Sequence, residues 1–438
     1  MHTIKKLIPQ SLKNLYHLAQ AVAANVWYGG PARRSYASGI AGGPSRKIKV
    51  IGITGTNGKT TTTQMVTRIL EEAGKKVAMA STINFKLGEK EWTNATKFTT
   101  VSAFAVQKFI KEAVAANCEY LVLETSSHAL DQARVWGIEY DTVAITNVTR
   151  EHLDYHKTME EYRKAKALLF QKNPKVAVVN LDMENPEEFM AFNAEKKYGY
   201  TVKNSNFQSP ISKFQIIKAE NIELGINFSK FKIQNLEFTL NLPGMFNVEN
   251  ALAATCVALG EGIELEVVKD ALLKIKGVAG RLEAVENKIG ATILIDYAVT
   301  PDSLEKLYSF VFGLKKAQSK VIAVFGSCGE RDRGKRPIMG KIVSKYADFV
   351  IVTNEDPYHE DPIQIIEEVS GGVEGKKEGV DFWKIMDRRE AIGKALSLAK
   401  SDDIVVITGK GAEETMALGD KRIPWNEKKV IQEELNKL

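Results

Sequence analysis

The segment VIGITGTNGKTTTTQMVTRIL, residues 50–70, decides the fold of the first half of the chain. It starts with a β-branched apolar run, passes through a glycine-containing turn with one lysine, and continues with the polarity pattern of a helix. A loop of small residues between a strand and a helix directs several backbone N–H groups into one concavity, where the helix dipole adds positive potential. The segment therefore predicts a phosphate-binding loop formed by Thr54, Gly55, Thr56, Asn57, Gly58, Lys59, Thr60 and Thr61.

The residue types within this loop indicate what it binds. Lys59 is placed to reach the β- and γ-phosphates of ATP, and the Thr60 hydroxyl is placed to ligate Mg²⁺. The spacing departs from the common P-loop, because the glycine nearest to the required position 53 is Gly52, one residue too early. A glycine-rich turn without a ligand is the alternative, but Gly-Lys-Thr directly after a strand favours a nucleoside triphosphate site.

The rest of the chain continues this alternation of strands and helices. From Lys47 onward, short β-branched runs alternate with longer amphipathic stretches, which indicates βαβ units and a mostly parallel sheet with helices on both faces. Between Gln208 and Leu242 the runs are short and lack a helical period, so antiparallel strands or hairpins appended to the main sheet are expected there. A second series of strands and helices begins near Gly280.

We therefore predict an α/β protein in three parts. A short helical segment occupies residues 1–46, and a central P-loop-type ATP-binding domain with appended β-hairpins occupies residues 47–280. A C-terminal Rossmann-like α/β domain occupies residues 281–438.

Composition limits the possible partners and the compartment. The chain has 60 basic and 54 acidic residues, a balanced mixture that does not indicate a nucleic-acid-binding protein. Its three cysteines are far apart and form no CxxC pair, which favours a reducing compartment, the cytoplasm, without disulfides or a zinc site.

The N-terminal segment contains an apolar stretch, residues 15–28, that three polar residues interrupt and several lysines precede. It is too short and too polar to span a bilayer. The pattern predicts a helix packed on the protein, and a helix in weak contact with a membrane surface is the alternative.

Polar residues follow the predicted strands on the edge that carries the phosphate loop. Glu124 ends the strand YLVLE, and Asn147 and His152 follow the next strand. The carboxyl ends of parallel strands meet at one edge of a sheet, so these side chains are expected to face the nucleotide. Glu124 and His152 offer oxygen and nitrogen ligands for a divalent ion, and a predicted helix carrying Lys164 and Lys166 follows.

Ten motifs extend this interpretation beyond the phosphate loop. From about Lys47 to the C-terminus the chain contains, in order, GTNGKTTT, ETSSHAL, TNVTREHLDYH, YRKAKALLF, LPGMFNVENALAA, GRLE, DYAVTPDSLEKLY, VFGSCGERDRGKRPIMG, TNEDPYHEDP and GKGAEE. This order resembles the Mur ligase superfamily, the ATP-dependent amide-forming enzymes of peptidoglycan precursor synthesis, and above all its UDP-N-acetylmuramoyl-tripeptide synthetases. The resemblance implies that ATP phosphorylates a muramyl-peptide carboxylate and that an amino acid amine then displaces the phosphate.

The resemblance also implies roles for individual residues. Catalysis is expected from Lys59, Glu124, His152 and Lys166, and Mg²⁺ ligation from Thr60, Glu124, His152 and Lys166 in carbamylated form. Further ATP contacts are expected from Asn147, Asn247, Asn250, Arg281 and Asp302. The muramyl-peptide is expected at Thr99, Thr100, Ser126, Gln132 and Arg134, and the incoming amino acid at Arg331, Glu355, Asp356 and Glu413.

Three departures from the family pattern bear on the substrates. These synthetases normally begin with a separate UDP-binding domain, whereas 46 residues precede Lys47 here, so either UDP is held differently or the acceptor has no nucleotide. Val299 stands where the family usually has histidine. Tyr358 follows Glu-Asp-Pro where diaminopimelate enzymes carry Asp-Asn-Pro-Arg, and a tyrosine cannot hold a distal carboxylate as arginine does.

The last departure leads to a prediction about the amino acid. Asp356 adds a negative charge that suits a cationic side chain, so L-lysine or another basic amino acid is expected to be preferred over meso-diaminopimelate by at least about tenfold. Two other functions stay open. One is a related ligase with a non-nucleotide acceptor, of the folylpolyglutamate or cyanophycin synthetase type, and the other is an ATP-binding homologue without turnover.

Overall fold

The computed structural model describes residues 9–32, 48–94, 96, 98–203 and 214–438. The lysines that precede position 9 and residues 208–213 of the predicted hairpin region lie outside the described residues. The first described helix, α1, spans Gln10–Trp27 and packs on the helix Ala103–Ala115. Among the described residues, no helix has the length and apolarity needed to cross a bilayer.

The first sheet contains nine strands in the order β4-β3-β2-β5-β1-β6-β7-β8-β9. The strands β2, β5, β1, β6, β7, β8 and β9 run parallel, while β3 and β4 add an antiparallel extension at one edge. Their bounds are β1 Lys49–Thr54, β2 Val77–Ala80, β3 Asn84–Leu87, β4 Lys90–Thr93, β5 Tyr120–Glu124, β6 Thr142–Ile145, β7 Val176–Asn180, β8 Lys196–Thr201 and β9 Phe214–Lys218.

Helices cover both faces of this sheet, which explains why its central strands are apolar at nearly every position. Ile51 and Ile53 face one core, and Val50 faces the other. The helices are α2 Lys59–Glu72, α3 Ala103–Ala115, α4 Ser127–Asp131, α5 Leu153–His156, α6 Met159–Ala167, α7 Glu187–Met190, α8 Met245–Gly260 and α9 Leu265–Lys274, with a 3₁₀ turn at Phe170–Lys172. Residues of α2, α8 and α9 fill the first core, and residues of α3, α4 and α6 contribute to the second.

The region expected to form appended hairpins differs from the prediction. The strand β9 pairs in parallel with β8 and ends the main sheet. The strands β10 Glu220–Leu224, β11 Ser229–Ile233 and β12 Leu236–Leu240 form a separate antiparallel sheet that packs on α9. The expected antiparallel strands are therefore present, but they form a sheet of their own, because alternating polarity predicts strands without specifying their pairing partners.

The second sheet has six strands in the order β13-β14-β18-β15-β16-β17, and only β13 is antiparallel. Its strands are β13 Glu283–Val285, β14 Thr292–Asp296, β15 Val321–Phe325, β16 Phe349–Thr353, β17 Phe382–Ile385 and β18 Ile404–Thr408, followed by the hairpin β19 Thr415–Leu418 and β20 Lys421–Pro424. Helices α10 Pro301–Leu314, α11 Lys335–Tyr346 and α12 Pro362–Ser370 cover one face, and α13 Arg388–Leu398 and α14 Glu427–Leu435 cover the other. The predicted α/β class, with large and mostly parallel sheets, is confirmed.

Candidate active site

A cleft with a volume of about 280 Å³ opens where the carboxyl ends of strands from the two sheets approach each other. Both sheets contribute to it, so neither one forms the site alone. The predicted site residues that line it are Thr56, Asn57, Gly58, Lys59, Thr60, Thr61, Thr99, Glu124, Asn147, His152, Asn247, Asn250, Arg281, Asp302, Arg331, Asp356 and Glu413. The predicted site residues outside its lining are Thr54, Gly55, Thr100, Ser126, Gln132, Arg134, Lys166 and Glu355.

The phosphate loop joins β1 to α2, and two of its glycines are sterically required. Gly55 has φ +147° and Gly58 has φ +81°, which side-chain-bearing residues rarely adopt. A Cβ on Gly55 would lie 1.8 Å from Thr146 Oγ1, and a Cβ on Gly58 would lie 2.2 Å from Asn250 Oδ1. The loop can therefore approach its neighbours only because these positions lack side chains.

The loop is held from the adjacent strand end by Asn147. The Asn57 backbone N–H donates to Asn147 Oδ1 at 2.9 Å, and Asn147 Nδ2 donates to the Asn57 carbonyl at 3.1 Å. The side chain of Asn147 thus bonds to both backbone polar groups of Asn57.

Lys59, the first residue of α2, carries a positive charge that no carboxylate neutralises directly. Its Nζ donates to the Thr56 carbonyl at 2.8 Å, and within the described part of the chain it forms no ion pair. Burial lowers the pKa of Lys59, with Glu124 acting against that shift and Arg281 adding to it. A cation in this position can stabilise the charge of an anionic ligand in the cleft.

Glu124 lies at the end of β5 and is almost completely buried. Its carboxylate accepts hydrogen bonds from Thr60 Oγ1 at 3.0 Å, the Thr82 N–H at 2.8 Å and Thr82 Oγ1 at 2.9 Å. The sequence interpretation missed Thr82, although its position shortly after β2 places it on the same sheet edge, a signal that was available.

The donors at this point suit Mg²⁺, which prefers oxygen ligands and commonly combines one or two carboxylates with substrate phosphates. The Thr60 hydroxyl and the Glu124 carboxylate are such donors and lie side by side in the cleft. Among the residues that the structure describes, no group of three or more His, Cys, Asp or Glu side chains could hold a metal by itself. A metal here would therefore depend on ligand oxygens from the substrate.

His152 belongs to a group of three histidines beside the cleft. It has φ +58° and caps α5, and its ring lies 4.6 Å from that of His128, centroid to centroid. Burial lowers the pKa of His152 well below its usual value and that of His128 to about 3. Burial also lowers the pKa of His156, to about 4, and the His156 ring hydrogen-bonds to Ser127 Oγ. All three are neutral at physiological pH.

Lys166 does not reach into the cleft. It lies on α6 with almost no exposed surface, and its Nζ donates to the Gly55 carbonyl at 2.7 Å and lies 4.3 Å from the centre of the Tyr162 ring. The unmodified amine therefore supports the phosphate loop from behind and cannot ligate a metal as an ammonium. Burial lowers the pKa of Lys166 well below its usual value, and the neighbouring Lys59 adds to this shift.

Two asparagines at the start of α8 form the opposite wall. Asn247 Nδ2 donates to the Pro243 carbonyl at 2.8 Å, and Asn250 Oδ1 accepts from Thr62 Oγ1 at 3.4 Å. Both side chains are oriented by neighbours in the part of the chain built on the nine-stranded sheet, here called the first unit. They line the cleft as expected for residues that contact a nucleotide base.

The part of the chain built on the six-stranded sheet, here called the second unit, meets the phosphate loop directly. Asn57 Nδ2 donates to Asp302 Oδ2 at 2.9 Å, and Arg281 Nη2 lies 3.5 Å from Thr60 Oγ1. The Arg281 guanidinium also lies 4.6 Å from the centre of the Tyr297 ring. Arg281 and Asp302 thus contact the phosphate loop across the cleft, and their contact with a nucleotide stays a prediction.

Two ion pairs that the sequence interpretation missed join the same units. The buried Lys335 donates to Glu151 at 3.0 Å, and Arg150 lies 3.2 Å from Asp332. Lys335 also donates to the Val299 carbonyl at 2.9 Å. Val299, which lines the cleft, therefore contacts Lys335 through its backbone carbonyl.

The residues expected to hold the muramyl-peptide mainly bond to each other. Thr99 lines the cleft, and its hydroxyl oxygen lies 3.1 Å from Thr82 Oγ1. Thr100 Oγ1 donates to the Glu124 carbonyl at 2.9 Å and accepts from the Ser126 N–H at 3.0 Å. Ser126 Oγ caps α4, and Arg134 donates to the Thr100 carbonyl. Of these residues only Thr99 lines the cleft, and their contact with substrate stays a prediction.

Gln132 lies farther from the phosphate loop, beside α1. Its Nε2 donates to the Tyr155 hydroxyl at 3.3 Å, and that hydroxyl donates to Asp131 at 2.6 Å. Asn14 and Gln10 of α1 bond to the same pair of residues. The first helix is therefore attached to the loop expected to hold the acceptor.

The acidic loop after β16 differs from the expectation. Asp356 accepts from Lys410 Nζ at 2.9 Å and from the Ala417 N–H at 2.6 Å. Lys410 also pairs with Glu413, whose other carboxylate oxygen accepts from the Tyr297 hydroxyl at 3.1 Å. Asp356 thus shares the ammonium of Lys410 with Glu413, which leaves one net negative charge on the three groups, and the preference for a basic amino acid stays a prediction.

Glu355 lies behind the cleft wall. Its Oε1 accepts from Cys328 Sγ at 2.8 Å, and burial raises the pKa of Glu355. This position does not support the predicted contact with the incoming amino acid. Arg331 does line the cleft, with its guanidinium 5.5 Å from the centre of the Tyr358 ring.

Comparisons with known proteins agree with this geometry. The profile of the Mur ligase middle domain matches residues 53–258, and that of the Mur ligase glutamate ligase domain matches residues 280–411. The chain is 39% identical over 408 residues to the UDP-N-acetylmuramoyl-L-alanyl-D-glutamate–2,6-diaminopimelate ligase of Clostridium tetani (strain Massachusetts / E88), covering 92% of this chain and 80% of that protein.

Solved structures show the same fold. A structure of a UDP-N-acetylmuramoyl-L-alanyl-D-glutamate–2,6-diaminopimelate ligase is similar with a TM-score of 0.58 at 30% identity, covering 89% of this chain and 78% of that one. The folylpolyglutamate synthase of Mycobacterium tuberculosis, complexed with ADP, has a TM-score of 0.67 at 17% identity, covering 90% and 91%. At that identity the second similarity concerns the fold alone.

Proposed function

Because this chain belongs to the Mur ligase family, we propose that it is an ATP-dependent ligase of peptidoglycan precursor synthesis that joins an amino acid to a UDP-muramoyl-dipeptide carboxylate. The observation that carries the proposal is the joint cleft. It brings the phosphate loop with Lys59, the pair Thr60–Glu124, and Arg281 from the second unit into one site. The names of the most similar relatives supply the acceptor, UDP-N-acetylmuramoyl-L-alanyl-D-glutamate.

The reaction has two steps that these residues can support. An acceptor carboxylate oxygen attacks the γ-phosphorus of ATP, so that an acyl phosphate forms and ADP leaves. The amino acid amine then attacks the acyl carbon, the C–O bond to phosphate breaks, and inorganic phosphate leaves as the amide forms. All reacting groups except the amine are anionic, so charge stabilisation is the main task of the protein.

Each cationic or metal-binding group has a defined part in that task. Lys59 stabilises the transferring phosphoryl group, and Arg281 adds positive charge from the second unit. Thr60 and Glu124 would hold Mg²⁺, which when bound neutralises phosphate oxygens. His152, neutral and lining the cleft, would be available as a further ligand on the opposite side.

Carbamylation of Lys166 is the finer part of the proposal. A neutral amine nitrogen attacks CO₂, one proton leaves to solvent, and the product is a carbamate with one negative charge. Burial and the nearby Lys59 favour the neutral amine that this reaction needs. The carbamate adds a carboxylate-like group with a longer reach toward the phosphate loop, next to the cation Lys59.

The amino acid is expected to be held by Arg331 through its α-carboxylate. The relatives compared above carry 2,6-diaminopimelate in their names, and Asp356 here is paired with Lys410. Because Lys410 offsets part of the acidic charge that would select a cationic side chain, we expect meso-diaminopimelate to be accepted at least as well as L-lysine. The proposal places the reaction in the cytoplasm.

Phosphate release tests the proposal directly. The full chain is mixed with ATP, Mg²⁺, UDP-N-acetylmuramoyl-L-alanyl-D-glutamate and meso-diaminopimelate, and the product is identified by mass spectrometry. Release that requires both the acceptor and the amino acid supports the proposal. Release only with a folate or a poly-amino-acid acceptor would overturn it in favour of the other ligase types, and no release with any acceptor would favour an ATP-binding homologue without turnover.

A further inference from the structure

The first helix, α1, turns polar side chains toward the protein and exposes most of its large apolar side chains. Its polar residues Asn14 and Asn25 face the protein, where Asn14 donates to Asp131 at 2.9 Å and Asn25 is buried. Ala21 and Ala24 are buried against the protein, but most of the larger apolar residues face outward and recur three or four positions apart. The exposed positions of this stripe are Leu12, Leu15, Tyr16, Ala19, Val22, Ala23, Val26 and Trp27.

The exposure of this stripe is unusual for the molecule. Six of the twenty large apolar side chains that are strongly exposed in the described residues belong to this one helix of 18 residues. Val26 is 72% exposed and Trp27 is 78% exposed. Single exposed apolar residues are normal in proteins, but a contiguous apolar face marks an interaction surface.

The charge of the surrounding chain indicates what covers this surface. Residues 1–47 contain seven basic residues and no acidic residue, which leaves 53 basic and 54 acidic residues for the remainder. The remainder thus has a net charge of −1, and the whole positive excess of the protein lies in the segment that contains α1. An amphipathic helix with adjacent basic residues is the pattern that binds anionic membrane surfaces.

We propose that the apolar face of α1, which we call the outer face, binds the surface of an anionic lipid bilayer. The aromatic residues Tyr16 and Trp27 are of the type enriched at membrane interfaces. Lys13 lies on the helix, and Arg33 and Arg34 follow within a few residues along the chain, so basic residues are close in sequence to the apolar stripe.

A second copy of the chain is the less suitable occupant. Pairing two outer faces would bring two segments with seven positive charges each toward one another, and like charges oppose such contact. An anionic bilayer would bury the apolar stripe and attract the cations at the same time.

The contacts of α1 with the rest of the protein indicate which side of the protein would face the membrane. Gln10 and Asn14 bond to Tyr155 and Asp131, next to Gln132. The side of the protein expected to hold the acceptor therefore lies beside the membrane-binding helix. Attachment through the outer face would keep that border of the cleft close to the lipid surface.

Vesicle flotation with the full chain tests the proposal. Vesicles of phosphatidylcholine with phosphatidylglycerol should bind the protein, vesicles of phosphatidylcholine alone should bind it much more weakly, and raised salt should release it. The double variant Leu15→Glu/Val26→Glu should lose binding at least tenfold. The matched control Ile363→Glu/Val380→Glu changes two side chains that are each 57% exposed in the second unit and should bind like the wild type.

Charge removal and a fluorescence measurement give independent evidence. Arg33→Gln/Arg34→Gln should weaken binding about 25-fold, or about fivefold per charge. Bromine-labelled acyl chains should quench Trp27 fluorescence in the wild type, and the Trp27→Phe variant should lose this response. These changes leave the cleft intact, so ATP-dependent phosphate release and the unfolding temperature should stay unchanged.

Three results would overturn the proposal. Equal binding to neutral and anionic vesicles would show that the basic residues do not contribute to binding. Unchanged binding of Leu15→Glu/Val26→Glu would show that another surface contacts lipid. A dimer in light-scattering measurements that this double variant dissociates would show that a second copy covers the outer face instead.

Discussion

The phosphate loop and the acidic loop after β16 both follow parallel strands and both border the cleft, yet they carry their charges differently. Lys59 and Lys166 donate to backbone carbonyls, and neither forms an ion pair within the described residues. Asp356 and Glu413, in contrast, share the ammonium of Lys410. In the first region Lys59 has no direct ion pair, and in the second region both carboxylates are held by the same lysine.

This difference distinguishes residues that need a ligand to compensate their charge from residues that stabilise the fold. A buried cation without a carboxylate partner is unfavourable unless an anionic ligand or a chemical modification compensates it. A buried ion pair has no such need, and its removal costs stability because the remaining partner stays unpaired. Substitutions in the phosphate loop should therefore affect activity, and substitutions in the acidic loop should affect folding.

The largest effect is expected from Lys59→Ala. Loss of the cation that stabilises the transferring phosphoryl group should lower ATP-dependent phosphate release by about 10³-fold or more. Circular dichroism should show a folded protein. Lys164→Ala, which removes an exposed lysine paired with Glu160, is the control and should retain full activity. Near-wild-type release by Lys59→Ala would contradict the phosphate-loop assignment.

Lys166→Ala should be nearly inactive, with phosphate release lowered by about 10²-fold or more because a group that organises charge at the site is lost. Short carboxylates or chloride should restore part of the activity if the carbamate is what the site needs. The control is again Lys164→Ala, two positions away on α6 but exposed. A ¹³C carbamate signal in the wild type under ¹³CO₂, missing in Lys166→Ala, checks the modification without using activity. Normal turnover by Lys166→Ala would refute this role.

Lys410→Met tests the other side of the comparison. It leaves Asp356 without its buried partner, so the free energy of unfolding in urea should fall by about 3–5 kcal/mol. The matched control Lys341→Met breaks an exposed pair with Glu374 and should cost less than about 1 kcal/mol. Equal effects of the two substitutions would mean that the acidic loop is not held by its ion pair.

The smallest effect concerns the amino acid. With meso-diaminopimelate and L-lysine at equal concentration, the product ratio should not favour L-lysine, because Lys410 offsets part of the acidic charge that would select it. A preference for L-lysine of tenfold or more, about 1.4 kcal/mol, would restore the charge argument made from the sequence alone.

Much of the fold and part of the site followed from local patterns. The α/β class, the phosphate loop and the positions of Glu124, Asn147 and His152 near it depend on strand periodicity and on the common edge of parallel strand ends. The resemblance to the Mur ligases also rests on motifs within the sequence, and the family comparisons confirm it. These features are local because each depends on residues within one strand–loop–helix unit.

Other features depend on contacts between distant segments, and only the tertiary structure decided them. Lys410 pairs with Asp356 across 54 positions, and Lys335 reaches Glu151 across 184 positions. Thr82 becomes a partner of Glu124 only when β2 and β5 lie side by side. The sequence determined which residues carry charge and which segments are amphipathic. Which charges are neutralised, and which face of α1 points outward, depends on packing between units that no local pattern encodes.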